Sequence, residues 1–169
     1  MSSTDAVPTL VLTVSDRGST GARADRSGAL LVSLLKEAGY DVTVPVVIPD
    51  GRESVRDALR IGIAEGARLI VTTGGTGVSP RDFTPEGTRD VVTRELVGVA
   101  EELRRHGSTY TPLSCLSRGV VGVADNPESD RLGTVVVNLP GSTRGVEQSM
   151  EALVPLLPHI LDQVVGWDH

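Results

Sequence analysis

Residues 9 to 14 are apolar and β-rich with no helical stripe, a pattern that predicts a buried strand running into Ser15 and then a loop, SDRGSTG. From Ser27 to Ala38 the period changes. Leu30, Leu31, Leu34, Leu35 and Ala38 recur at helical spacing, with Asp25 or Ser27 as N-cap and Gly39 as stop. Val42 to Ile48 is strand-like, but Pro45 lacks the N–H of an inner strand and asks for an outer or irregular position. Pro49-Asp50-Gly51 breaks it, and Ser54 to Gly66 returns to helical spacing through Val55, Ala58, Leu59 and Ile61. Arg68 to Thr73 predicts the third strand, which runs into the glycines at 74 to 77. Helical patterns resume after Thr84-Pro85-Glu86, with Thr84 as N-cap and Pro85 at the first helical position, and again over residues 95 to 106. Arg118 to Ala124 and Leu132 to Asn138 are strand-like and joined by a polar turn; Ser142 to Val165 is helical, bent or divided by Pro155 and Pro158.

Strands alternating with helices in this order predict an α/β sheet covered by helices on both faces. The chain of 169 residues suits one domain, residues 1–169, with one core. Four unusual clusters each follow a predicted strand: Ser15-Asp16, Pro49-Asp50, GGTG with Asp82, and Leu139-Pro140-Gly141-Ser142. If those strands are parallel, all four gather at the carboxyl edge of the sheet, where open α/β folds place ligands.

Composition narrows the chemistry. A formal charge of −6 and only four scattered aromatics argue against nucleic acid, which needs a basic footprint or a stacking platform. One cysteine and three histidines without HExxH spacing give no zinc site of the usual kinds. Lys36 is the one lysine and lies outside any phosphate-binding loop, so a Walker mechanism is excluded. The N-terminal MSSTDAVP carries no basic region and the apolar run after it is too short for a signal or a membrane span; the expectation is a cytoplasmic protein with no membrane association.

Thr73-Gly74-Gly75-Thr76-Gly77 places three glycines in four positions after a strand, where successive N–H groups can cradle a phosphate or carboxylate. A tight strand-to-helix turn explains the glycines equally well. Asp82 just beyond is either a ligand for Mg²⁺ with substrate phosphates or a cap of the Thr84 helix, and Asp50 is either a second such carboxylate or a turn residue. Ser142 is an N-cap or part of a second anion site with Pro140 and Gly141. Ser117 and Arg118 present a hydroxyl and a guanidinium to a ligand, or else Arg118 is a solvated strand end. Ser33-Leu34-Leu35-Lys36 matches SxxK by coincidence, and Cys115 between Leu113 and Leu116 reads as a small buried hydrophobe. Valine at Gly75 is expected to weaken ligand binding more than folding.

The motifs together are more specific. TVSD at 13 to 16, DRSG at 25 to 28, IPD at 48 to 50, TGGTGVSPRDFTPEG at 73 to 87, LSR at 116 to 118 and NLPGS at 138 to 142 resemble, in order and spacing, the molybdopterin adenylyltransferase family. That family includes bacterial Mog and MoaB and the G domains of plant Cnx and animal gephyrin. The resemblance runs from about residue 8 to residue 165. It implies a three-layer α/β/α fold with a mostly parallel sheet, usually a homotrimer, that transfers AMP from Mg·ATP to the terminal phosphate of molybdopterin and releases pyrophosphate. A molybdate-insertion protein would use the product. Carried over, Asp50 and Asp82 match the essential, metal-holding carboxylates; Gly74, Gly75, Thr76, Gly77, Ser117 and Arg118 match the pterin and phosphate side. Ser15, Asp16, Ser27, Gly28, Pro140, Gly141 and Ser142 match the nucleotide side. Gly87 stands where Ala is common, and the turn at 124 to 133 is longer than usual. The alternative is a paralogue of the same fold that binds molybdopterin or its precursor without catalysis.

Overall fold

The computed structural model describes residues 6–22, 24–125 and 133–166. The sheet is built on β1 (Pro8–Val14), β4 (Leu69–Thr73) and β7 (Thr134–Leu139), three parallel neighbours in that order. Beyond β7 come β6 (Val121–Ala124) and β5 (Arg94–Glu95), each antiparallel to its neighbour. The other edge is one segment in two pieces: β2 (Asp41–Val42) pairs with the start of β1, and β3 (Val46–Ile48) with its end. Pro45 sits in the interruption, where its missing N–H costs no ladder bond.

Side chains alternate across this sheet and so divide the core. Leu69 and Val71 of β4 and Val135, Val137 and Leu139 of β7 point into one cluster with α2 (Arg26–Glu37), α5 (Val97–Ser108), α6 (Thr143–Leu153) and α7 (Leu157–Val164). Ile70 and Val136 point into the other, against Val55 and Leu59 of α3 (Arg52–Ala64). The result is a three-layer α/β/α architecture with a mostly parallel sheet. Asn138 locks β7 in register: its side-chain NH₂ donates to Thr72 and Thr88 hydroxyls at 3.1 and 2.9 Å, and its Oδ1 accepts from the Val120 N–H.

Several local expectations change. Residues 16–19, expected as loop, form a short helix α1 (Asp16–Ser19), because Ser15 Oγ accepts from the Gly18 N–H at 3.1 Å and caps it. Residue 95, expected to open a helix, belongs to β5, and α5 begins two residues later. The last helical pattern is divided rather than bent: α6 stops at Leu153, Pro155 lies in the break, and Pro158 occupies the first turn of α7. Thr84 is not an N-cap. Phe83 holds that position for α4 (Thr84–Arg89), and the buried Thr84 hydroxyl instead donates to the Gly74 carbonyl at 2.9 Å. Cys115 is exposed, since its 3₁₀ segment, Pro112–Leu116, lies on the surface. The polar turn between β6 and β7 falls largely on residues 126–132, outside the described residues.

Candidate active site

The carboxyl ends of β3, β1, β4 and β7 lie side by side, and hydrogen bonds tie their loops together. Ser15 N–H donates to Ile48 O, Gly74 N–H to Leu139 O, and the Thr73 hydroxyl to Pro140 O at 2.7 Å. Gly74 and Gly75 both adopt positive φ, +102° and +65°. A Cβ on Gly74 would stand 2.3 Å from Val14 O, and one on Gly75 would stand 2.3 Å from the Thr84 hydroxyl. Each glycine thus serves the turn as well as any ligand.

Three aspartates converge on this edge. Asp16 and Asp50 clasp each other's backbone: Asp16 N–H donates to Asp50 Oδ2, and Asp50 N–H to Asp16 Oδ1, both at 3.0 Å. Burial, helped by the negative charges of Asp16 and Asp82, raises the Asp50 pKa above the ordinary carboxylate value, against the lowering effect of the Asp16 N–H and Arg81. Asp82 does not cap a helix; its Oδ2 accepts from the Ser79 N–H at 3.1 Å. The other oxygens, Asp50 Oδ1 and Asp82 Oδ1, have no hydrogen-bond donor among the described residues.

Two cavities open here. One, ≈ 420 Å³, runs along β1 and the start of α2 and is lined by Thr13, Ser15, Ser27 and Asp50. The other, ≈ 730 Å³, lies under α5, α6 and the 3₁₀ segment and is lined by Thr76, Ser117, Leu113 and Arg144. Gly75, Asp82, Gly141 and Ser142 line both. Both volumes suit small-molecule ligands of roughly 300–1,000 Å³ sites. Occupants of the two would therefore meet across the glycine loop, beside Asp82.

Residues 10–159 match the family model described as "Probable molybdopterin binding domain". The chain belongs to this family. The molybdenum cofactor biosynthesis bifunctional protein of Synechococcus elongatus is 36% identical over 94% of the chain, which spans 48% of that protein's length. The molybdopterin adenylyltransferase of Pyrococcus furiosus is 36% identical, over 89% of this chain and 87% of its own. A crystal structure of the molybdopterin biosynthesis enzyme MoaB from Thermus thermophilus superposes with a TM-score of 0.84 at 40% identity, covering 95% of this chain and 98% of that one.

Within this molybdopterin-binding domain the positions singled out in the sequence mostly come together. Ser15, Ser27, Asp50, Gly74, Gly75, Asp82, Gly141 and Ser142 line the smaller cavity. Thr76, Gly77, Ser117 and Pro140 line the larger. Asp16 reaches the site only through its clasp on Asp50 and a 3.8 Å ion pair with Arg81. Gly28 acts in packing: a Cβ there would stand 2.1 Å from the Thr13 hydroxyl, which itself donates to Asp25. Ser142 is an N-cap and a cavity residue at once, accepting from the Gly145 N–H at 3.0 Å. Arg118 is the clear departure, because its guanidinium is spent on the Gly77 and Asp82 carbonyls and the Glu86 carboxylate and lines neither cavity.

The sequence reading missed one wall of the larger cavity. Tyr110, Leu113 and Leu116 all line it, and all three are about half exposed or more. They recur every third residue, the period of a 3₁₀ turn, and that was the available signal. Glu151 anchors this wall to α6 by accepting from the Tyr110 hydroxyl and contacting His106 Nε2 at 2.9 Å.

Proposed function

We propose that this domain is a molybdopterin adenylyltransferase of molybdenum cofactor biosynthesis, with nucleotide in the smaller cavity and molybdopterin in the larger. The observation that carries this is the shared floor, where Gly75, Asp82, Gly141 and Ser142 border both cavities. A terminal phosphate oxygen of molybdopterin attacks the α-phosphorus of ATP; the new P–O bond forms as the bond to the β-phosphate oxygen breaks, and pyrophosphate leaves. Such a reaction needs positioned donors and charge rather than a covalent nucleophile, which suits a site without His, Cys or Lys. The glycine-loop and α6 N–H groups hold phosphate oxygens, and the wall of Tyr110, Leu113 and Leu116 shields the pterin from water.

Magnesium fits the donor set. Among the described residues no three acidic, histidine or cysteine side chains stand so that they could together hold a metal ion, so a cation here would take its remaining ligands from water and substrate phosphates, as magnesium commonly does. Asp50 Oδ1 and Asp82 Oδ1 would hold it, and a divalent ion would favour the ionised form of Asp50, which burial first and the Asp16 and Asp82 charges next disfavour. When bound, the ion neutralises charge on the triphosphate.

Incubation with molybdopterin and Mg·ATP should release one pyrophosphate per adenylylated pterin. Pterin binding without pyrophosphate would instead make this a non-catalytic paralogue. The domain is further proposed to act as a homotrimer in the cytoplasm and to pass its product to a molybdate-insertion protein. No helix among the described residues is long and apolar enough to cross a membrane. Light scattering on the 17.7 kDa chain is expected to return three times that mass; a monomer at micromolar concentration would refute the trimer.

A further inference from the structure

Residues 78 to 81, which lead to Asp82, are all exposed, and Val78 is 70% so; no apolar burial fixes them. Their own hydrogen bonds are internal: Asp82 N–H donates to Ser79 O, and Ser79 N–H to Asp82 Oδ2. Arg81 pairs with Asp16 only at 3.8 Å, and past Asp82 the chain is tied back by Thr84 to Gly74 and Gly75; the group that grips the loop at both of its ends is Arg118. Its N–H donates to Thr76 O at 2.8 Å, its Nε to Gly77 O at 2.8 Å and its Nη2 to Asp82 O at 2.6 Å. The same guanidinium pairs with Glu86 in the first turn of α4. Burial alone would raise the Glu86 pKa, but the Arg118 hydrogen bond, a backbone hydrogen bond and the charges of Arg118 and Arg89 outweigh it and hold the carboxyl below its usual value, so Glu86 is ionised at neutral pH.

We infer that Arg118, held by Glu86, is the positioning residue of Asp82: one rigid fork grips both ends of the loop and sets where the Asp82 carboxylate stands. The inference rests on the adenylyltransferase reading but concerns geometry that reading does not assign. A planar guanidinium suits this task because it donates in three fixed directions at once, and a lysine ammonium cannot reach two carbonyls and a carboxylate in that geometry.

The test compares Arg118→Gln, Arg118→Lys and Glu86→Gln with wild type in three measurements. These are pyrophosphate release, molybdopterin affinity, and binding of Mn²⁺·ATP followed by the electron paramagnetic resonance of the ion. Misplacing a catalytic group by about 1 Å costs about 100-fold. Both Arg118 variants should therefore lose about 100-fold in kcat and bind Mn²⁺ more weakly in the ATP complex, while molybdopterin affinity stays within about twofold. Glu86→Gln should move the same quantities in the same direction by about 10-fold, and the double variant should lose no more than Arg118→Gln, as expected of residues acting as one unit. If the main loss is in molybdopterin affinity and Lys restores it, Arg118 is a substrate contact and the inference falls. It falls equally if all variants keep wild-type kcat and Mn²⁺ binding. Should the Arg118 variants fail to fold, Glu86→Gln, which keeps an acceptor in place, decides the matter alone. Absence of pyrophosphate release by wild type would refute the enzymatic reading, whereas the Mn²⁺ signal would still report on Asp82.

Discussion

Asp50→Ala and Asp82→Ala are each expected to lower AMP transfer by at least about 10²–10³-fold, the range for removing one preorganised electrostatic group, while molybdopterin remains bound. The two carboxylates stand where the cavities meet or beside that point, and each keeps one oxygen without a protein donor. The proposed pterin contacts lie on the other side, at Thr76, Ser117 and the 3₁₀ wall of the larger cavity. Removing a negative charge also lessens repulsion of an anionic ligand, so pterin affinity holds or tightens slightly. Paired titrations of pterin binding and pyrophosphate release check this; wild-type turnover in both variants would reduce the aspartates to turn residues. Stability should move the opposite way. Because the folded Asp50 pKa lies above its unfolded value, its contribution favours the fold at low pH and is lost as pH rises through the folded pKa. At neutral pH the ionised group therefore opposes folding, and Asp50→Asn, which still accepts from the Asp16 N–H, should melt higher than wild type while losing activity. A lower melting temperature for Asp50→Asn would contradict that.

Gly75→Val should damage the fold of the site. It forces a β-branched residue to φ +65° and drives Cβ to 2.3 Å from the Thr84 hydroxyl, which is fully buried and holds the Gly74 carbonyl. Strain and overpacking together cost about 3–5 kcal/mol, or a melting temperature lower by roughly 10 °C for a domain of this size. This replaces the expectation from sequence that binding would suffer more than folding. Gly77→Ala provides the contrast. Its φ is not positive, and its Cβ would meet only the Asp82 carboxylate, with Oδ2 at 2.8 Å, so activity should fall while the melting curve barely moves. Calorimetry on both variants separates the two effects.

The periodicity of the chain was enough for the main strands and the long helices, because β4, β7 and the second half of β1 are buried and carry short, largely apolar runs. It was enough as well for the loops at the carboxyl edge, since parallel strands bring every strand-to-helix loop to one side. What it could not carry were contacts between distant residues. Arg118 followed a serine next to a strand and looked available to a ligand, yet Gly77, Asp82 and Glu86, 32 to 41 positions away, consume its donors. Thr84 stood ahead of a proline like a cap but turns inward to Gly74. Two-residue strands such as β5 are set by pairing with β6 and have no period of their own to read.

The common floor of the two cavities also bears on departure. Once a bond joins their occupants, the product is one molecule with an end in each chamber, and an end that slips free is returned by the tether of the other, at high local concentration. Escape requires both ends to let go together, so under the proposed reaction the adenylylated pterin would outstay either substrate. On the proposed reaction, a protein of this shape would be a custodian of its labile product, sheltering the new phosphoanhydride from hydrolysis until the proposed molybdate-insertion protein collects it.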